Sequence, residues 1–207
     1  MSAPQLQPRF KARAERLALK VRAELGLGTH DRLDPKLLAV HLKTRVVGLS
    51  LLIAHGASRD SVLHSHTDGQ SDFSAVTVFR DSRRLIIVNE AHSEVRQASS
   101  LAHELSHLLL KHPPHHAVAD NGCRLAFAEV EREADYLGSV LLVPRDAVLL
   151  VARQGLSLQE AAARFGVSEH MMRWRFNDTH ALKQPDGERA AAARMTSRRL
   201  AGVRERK

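Results

Sequence analysis

The sequence predicts an α+β fold. A small mixed or antiparallel sheet of about three strands packs on two long helices, one carrying histidines and the other glutamates. A helix-turn-helix-like segment follows. Three observations predict it. Apolar residues recur at helical spacing over 9–25 and again beyond Ser93. Between those stretches lie three apolar, β-branched runs: Arg45–Ile53, Phe73–Phe79 and Arg84–Asn89. After Gly155, two short helical patterns meet at Gly166.

Taken in order, Leu17, Val21 and Leu25 recur every four residues, so 9–25 reads as a helix ended by Gly26 and Gly28. Asp34-Pro35 is a cap followed by proline at the first helical position, which starts a short helix running to about residue 43. The second and third β runs flank Arg80-Asp81-Ser82-Arg83 and read as a hairpin. Residues 55–72, with Gly56, Gly69 and several serines, read as a loop. From Ser93 an apolar stripe of Leu101, Leu105, Leu108 and Leu109 predicts a helix over 93–112, stopped by Pro113-Pro114. A second long helix spans about 123–142, up to Pro144. Ser157-Leu158-Gln159-Glu160 has the form of a capping box, and Ser168 caps a further helix to about Asn177.

Composition bounds the function. Of 207 residues, 43% are hydrophobic, enough for a real core and against wholesale disorder. The one cysteine, Cys123, excludes an intramolecular disulfide framework and cysteine-rich zinc sites. It suits a reducing compartment, so a cytoplasmic location is expected. The longest apolar run, around Val46–Ala54, is far short of a membrane helix, and the first residues lack the apolar core of a secretory signal. Two quantities stand out: a net charge of +8 and 13 histidines. The charge points to nucleic acid or an acidic partner, the histidines to metal.

His103-Glu104-Leu105-Ser106-His107 matches His-Glu-x-x-His in the middle of a predicted helix. Four residues advance a helix by about one turn, so both imidazoles leave one face and can hold one zinc ion. Glu104 sits beside the open coordination position, placed to take a proton from the attacking water. Such a site needs a third protein ligand. The next helix offers Glu129, Glu131 and Glu133, which at alternate positions cannot share one face. Glu131 and Asp135 do share one, with Gly138 a turn later to let the two helices approach. Glu131 is therefore the expected third ligand, Glu133 the fallback, and Asp135 the acceptor for the free nitrogen of a ligand histidine. For the oxyanion donor Tyr136 and His115 are candidates; the sequence does not choose between them.

His103–His107, the stretch Glu131–Asp135 and the following Leu141-Leu142-Val143-Pro144 together resemble the ImmA/IrrE family of zinc metallopeptidases. The resemblance runs over about residues 10–178. It implies a minimal thermolysin-like peptidase with one Zn2+ per chain, its third ligand drawn from a glutamate paired with an Asp or Asn four residues on. Counted back from Pro144, that pair is Glu131 and Asp135. The resemblance further implies that the substrate is a protein, a helix-turn-helix transcriptional repressor, whose cleavage derepresses stress or mobile-element genes.

The chain is expected to divide into a peptidase domain at 1–152, a helix-turn-helix-like module at 153–182 and a basic tail at 183–207. Arg173 and Arg175 on the module's second helix are candidate contacts to nucleic acid or a partner; the competing reading makes the helix pair a unit that closes the core. Residues 1–25 carry +4, residues 186–207 carry +4, and 26–185 balance to zero. The basic character therefore belongs to the two ends, which either approach DNA or are solvated arms. The alternative function is a DNA-associated transcriptional regulator with a structural or vestigial zinc. Glu104 favours the peptidase, because a structural site has no use for a carboxylate beside the metal.

Overall fold

The structure is a computed structural model that describes residues 6–56, 74–80, 83–113 and 124–181. The expectations for His115, Cys123, most of the 55–72 loop and the basic tail lie outside the described residues. In chain order the first elements are α1 (Pro8–Glu24), α2 (Pro35–His41), β1 (Arg45–Gly48), α3 (Ser50–Ala54), β2 (Ala75–Arg80) and β3 (Arg83–Val88). Then come α4 (Glu94–Leu110), α5 (Arg124–Leu142), α6 (Arg145–Arg153), α7 (Leu158–Phe165) and α8 (Glu169–Thr179). The expected α+β class and the small three-stranded mixed sheet are both present.

The sheet has the order β1-β3-β2. β3 runs parallel to β1, with Val47 opposite Ile87, and antiparallel to β2, with Thr77 opposite Ile86. Its side chains alternate between faces as pleating requires. Ile86 and Val88 enter the main core, while Ile87 joins Leu49 in a smaller cluster on the other side. The chain leaves β3 through Asn89 and starts α4 at Ser93, whose hydroxyl accepts the Arg96 N–H. The apolar run Arg45–Ile53 is not a single strand. The strand stops at Gly48, and Ser50–Ala54 is helical. Glu90 decides this from outside the segment: its carboxylate accepts both the N–H and the hydroxyl of Ser50, capping the helix. α6 likewise has no local capping side chain; its first N–H, that of Arg145, is taken by Glu15 of α1.

Helices α4 and α5 lie side by side, and α1 covers α5. α1 turns a stripe of Phe10, Ala14, Ala18 and Val21 inward, and the two alanines let it sit close. Contact between α4 and α5 is closer still. A Cβ on Gly138 would stand 3.2 Å from the backbone nitrogen of His103 and 3.3 Å from the carbonyl carbon of Ala102. Backbone cannot rotate away as a side chain can. Gly138→Ala is therefore expected to destabilise the fold by about 1–3 kcal/mol, the usual cost of overpacking a filled core. Thermal melting of the metal-free protein reads this; an unchanged midpoint would show that the helices can separate freely.

The far end of α5 is held by two buried arginines. Arg22 of α1 donates to the Leu141 carbonyl at 2.7 Å and also to Gly28 and Asp31 carbonyls. Arg175 of α8 donates to the Val143 carbonyl at 2.9 Å, to Glu15 at 2.7 Å and to Asp178 at 3.2 Å. Both satisfy carbonyls at or just past a helix C-terminus that has no further turn to bond them. Arg175 is 0% exposed. This corrects its expected role: a guanidinium buried among Glu15, Asp178 and Val143 is not presented to DNA. Phe165, Val167, Met172 and Phe176 of the helix-turn-helix-like segment lie in the same hydrophobic cluster as the sheet and α4. The capping box at Ser157–Glu160 and the left-handed Gly166 turn form as expected.

Candidate metal centre

The periodicity argument puts His103 and His107 one turn apart on α4. Their Nε2 atoms stand 3.0 Å apart. Glu131 of α5 meets both: one carboxylate oxygen is 3.2 Å from His103 Nε2, the other 3.6 Å from His107 Nε2. Together His103, His107 and Glu131 offer three ligand atoms that lie within 4.8 Å of one another. Donors on a tetrahedral zinc at about 2.0–2.1 Å stand roughly 3.3–3.4 Å from each other. The two distances that share His103 Nε2, 3.0 Å to His107 Nε2 and 3.2 Å to Glu131, are close to that value.

The outer nitrogens decide where the lone pairs point. His103 Nδ1 is 2.8 Å from Asp135, so its proton goes there and Nε2 is left bare. Glu131 thus lies beside the inner nitrogens and Asp135 beside an outer one. Burial alone pushes the His103 imidazole down, but the Asp135 hydrogen bond and the charges of Asp135, Glu104 and Glu131 outweigh it and hold the pKa above the ordinary histidine value. The surrounding carboxylates favour positive charge on this imidazole. Glu133, the fallback ligand, lies elsewhere: its carboxylate is 3.2 Å from His112 Nε2. Glu129 is exposed.

Glu104 follows His103 on the helix and points towards the sheet. Its carboxylate accepts a 2.5 Å hydrogen bond from the Thr77 hydroxyl on β2. Thr77 carried no signal in the sequence, because a threonine in an edge strand is ordinary. His112 was missed for a related reason. It lies past the end of α4, where helical spacing no longer says which way a side chain turns.

Tyr136 sits beside the site but is committed. Its hydroxyl donates to Asp178 at 3.1 Å, and its ring stacks edge-on with Phe10 and Trp174. Burial pushes the phenol up to about 12, with Arg175 pulling against it and Asp178 with it. The proton an oxyanion would need is already given to Asp178. Arg173 is exposed on α8. A cleft of 760 Å³ runs from His103 and Asp135 past Tyr136 to Met171, Trp174 and His180. Among the described residues, no helix is long and apolar enough to cross a membrane.

Comparison with known proteins adds three findings. A family model, peptidase M78 (IrrE N-terminal-like domain), matches residues 57–177. Comparison with curated proteins gives no match. Among solved structures, a Mycobacterium tuberculosis transcriptional regulator is similar in fold, with a TM-score of 0.51 at 14% identity. The similarity covers 87% of this chain and 49% of that one, so this chain spans about half the length of that protein.

Proposed function

We propose a function from one premise: the chain belongs to the peptidase M78, IrrE N-terminal-like family. It is a zinc-dependent endopeptidase, holding one Zn2+ through His103, His107 and Glu131, and its substrate is a protein, a helix-turn-helix transcriptional repressor. The observation that carries the reading is the convergence of two imidazole nitrogens and one carboxylate, with the His103 proton drawn off to Asp135. The His103 and His107 Nε2 atoms, 3.0 Å apart, face the same space as the Glu131 carboxylate, where one cation would be shared by all three.

When bound, zinc acidifies water and polarises a carbonyl. The remaining chemistry falls to this chain's own side chains. Glu104, fixed by Thr77, takes a proton from the attacking water and delivers it to the amine nitrogen as the C–N bond breaks. β2 orients the substrate. Among the described residues it pairs on one side only, with β3, and an extended segment adding to its other edge would form a further strand. Val76 and Val78 are 40% and 42% exposed on that strand, an apolar surface for the segment's side chains. The cleft beyond Asp135 takes the rest of the partner. The basic termini and Arg173 serve to hold the enzyme near a repressor seated on DNA.

The test is incubation of the purified chain with candidate helix-turn-helix repressors, with and without a chelator. Cleavage that the chelator abolishes is expected; cleavage that survives it would overturn the zinc mechanism. Metal analysis of the same preparation is expected to give about one zinc per chain, and Glu131→Ala is expected to remove it. If Glu131→Ala keeps a full equivalent, the third ligand is another residue.

A further inference from the structure

We infer that His112 and Glu133 form a positioning relay for His107, fixing which of its nitrogens faces the metal. This rests on the metal reading above.

The path begins at the end of α4. Lys111 adopts a left-handed conformation, φ 59°, and terminates the helix. The chain then turns back on itself, and the His112 N–H bonds the His107 carbonyl at 2.9 Å. That turn brings the two imidazoles edge to face, with centroids 5.1 Å apart and planes at 70°. Their Nδ1 atoms are 3.0 Å apart. On its other side His112 Nε2 is 3.2 Å from the Glu133 carboxylate. The His112 side chain is 8% exposed and that of Glu133 is 23% exposed, so water competes weakly for these bonds.

A neutral imidazole has one donor nitrogen and one acceptor. An Nδ1–Nδ1 hydrogen bond therefore holds one proton and allows two assignments. If His112 Nδ1 carried it, His112 Nε2 would turn a lone pair on the carboxylate, and His107 would carry its proton on Nε2, among the metal donors. If His107 Nδ1 carries it, both outer contacts are satisfied, and the 3.0 Å Nε2 contact with His103 is left to the metal. His107 donates to His112, His112 donates from Nε2 to Glu133, and His107 Nε2 is bare. Glu133 thus acts through His112 on His107 as Asp135 acts directly on His103. The two outer carboxylates lie on α5, as does the ligand Glu131, so one helix supplies both the third ligand and the orientation of the other two.

Zinc affinity of the full chain, measured by competition with a chromogenic chelator, tests this. Partners of this kind are typically worth about 10–100-fold in metal affinity. His112→Phe keeps a ring but no acceptor, and is expected to weaken binding in that range. Glu133→Leu is expected to do the same, and Glu133→Gln, which keeps an acceptor oxygen, to bind close to wild type. Circular dichroism of the metal-free forms checks that each variant is folded. Should His112→Phe not fold, the Glu133 pair carries the comparison. A purely structural role would shift the melting of the metal-free forms and leave the affinity of folded protein unchanged. Wild-type affinity in folded Glu133→Leu or His112→Phe overturns the relay while the metal reading stands. A wild-type chain that binds no zinc overturns the metal reading, and the relay with it.

Discussion

Glu104→Gln is expected to keep its zinc and lose cleavage by about 10²–10⁴-fold, the usual worth of a positioned general base. The amide has nearly the carboxylate's shape, and its oxygen can still accept the Thr77 hydroxyl, so the side chain should stay where it is. It is not one of the three clustered donors, so metal content should not follow activity down. Only the ability to take and return a proton is removed. Initial rates on a cleavable repressor, read beside metal analysis of the same sample, separate the two effects. Retained activity would assign the base elsewhere; loss of zinc would make Glu104 part of the donor set.

The largest stability effect is expected at Arg175. Replacing it with Met removes the cation that Glu15 and Asp178 share, leaves Asp178 to Lys11 and Tyr136, and strips the Val143 carbonyl of a donor. Removing one partner of a buried pair costs about 3–5 kcal/mol. Glu15 is 19% exposed in its side chain, so the lower end of that range applies. For a chain of this size about 3 kcal/mol corresponds to a drop of roughly 6–12 °C in melting midpoint. Calorimetry or circular dichroism measures it. A drop of a degree or two, with a clear fall in DNA affinity, would restore Arg175 to the surface role expected from its place on a second helix.

The clustering of His103, His107 and Glu131 was legible because two periods spoke together. Spacing four on α4 paired the histidines, and spacing four on α5 separated Glu131 and Asp135 from Glu129 and Glu133. Helix starts with local chemistry were also legible, as at Asp34-Pro35 and at the Ser157 box. What could not be read shares one physical cause. α3 is capped by Glu90, 40 residues away, and α6 by Glu15, 130 residues away. No local pattern announces a cap supplied from another element. Arg175 looked like a surface residue because arginine usually is one. Its burial follows from three partners, of which Glu15 lies 160 residues distant. His112 was hidden by a left-handed residue at Lys111, which redirects the chain where period counting ends.

The contact at Gly138 bears on which ion the centre accepts. The gap between α4 and α5 is set there by main chain against main chain. Its width therefore does not adjust when neighbouring side chains repack. Glu131 rides on one helix and both imidazoles on the other, so the donor triangle inherits that fixed gap. A small ion with short bonds fits without moving either helix. Calcium, which takes six to eight oxygen donors at about 2.3–2.6 Å, is a poor match for two imidazoles and one carboxylate. The separation of the two helix-borne sets of side chains is thus held by a residue with no side chain at all.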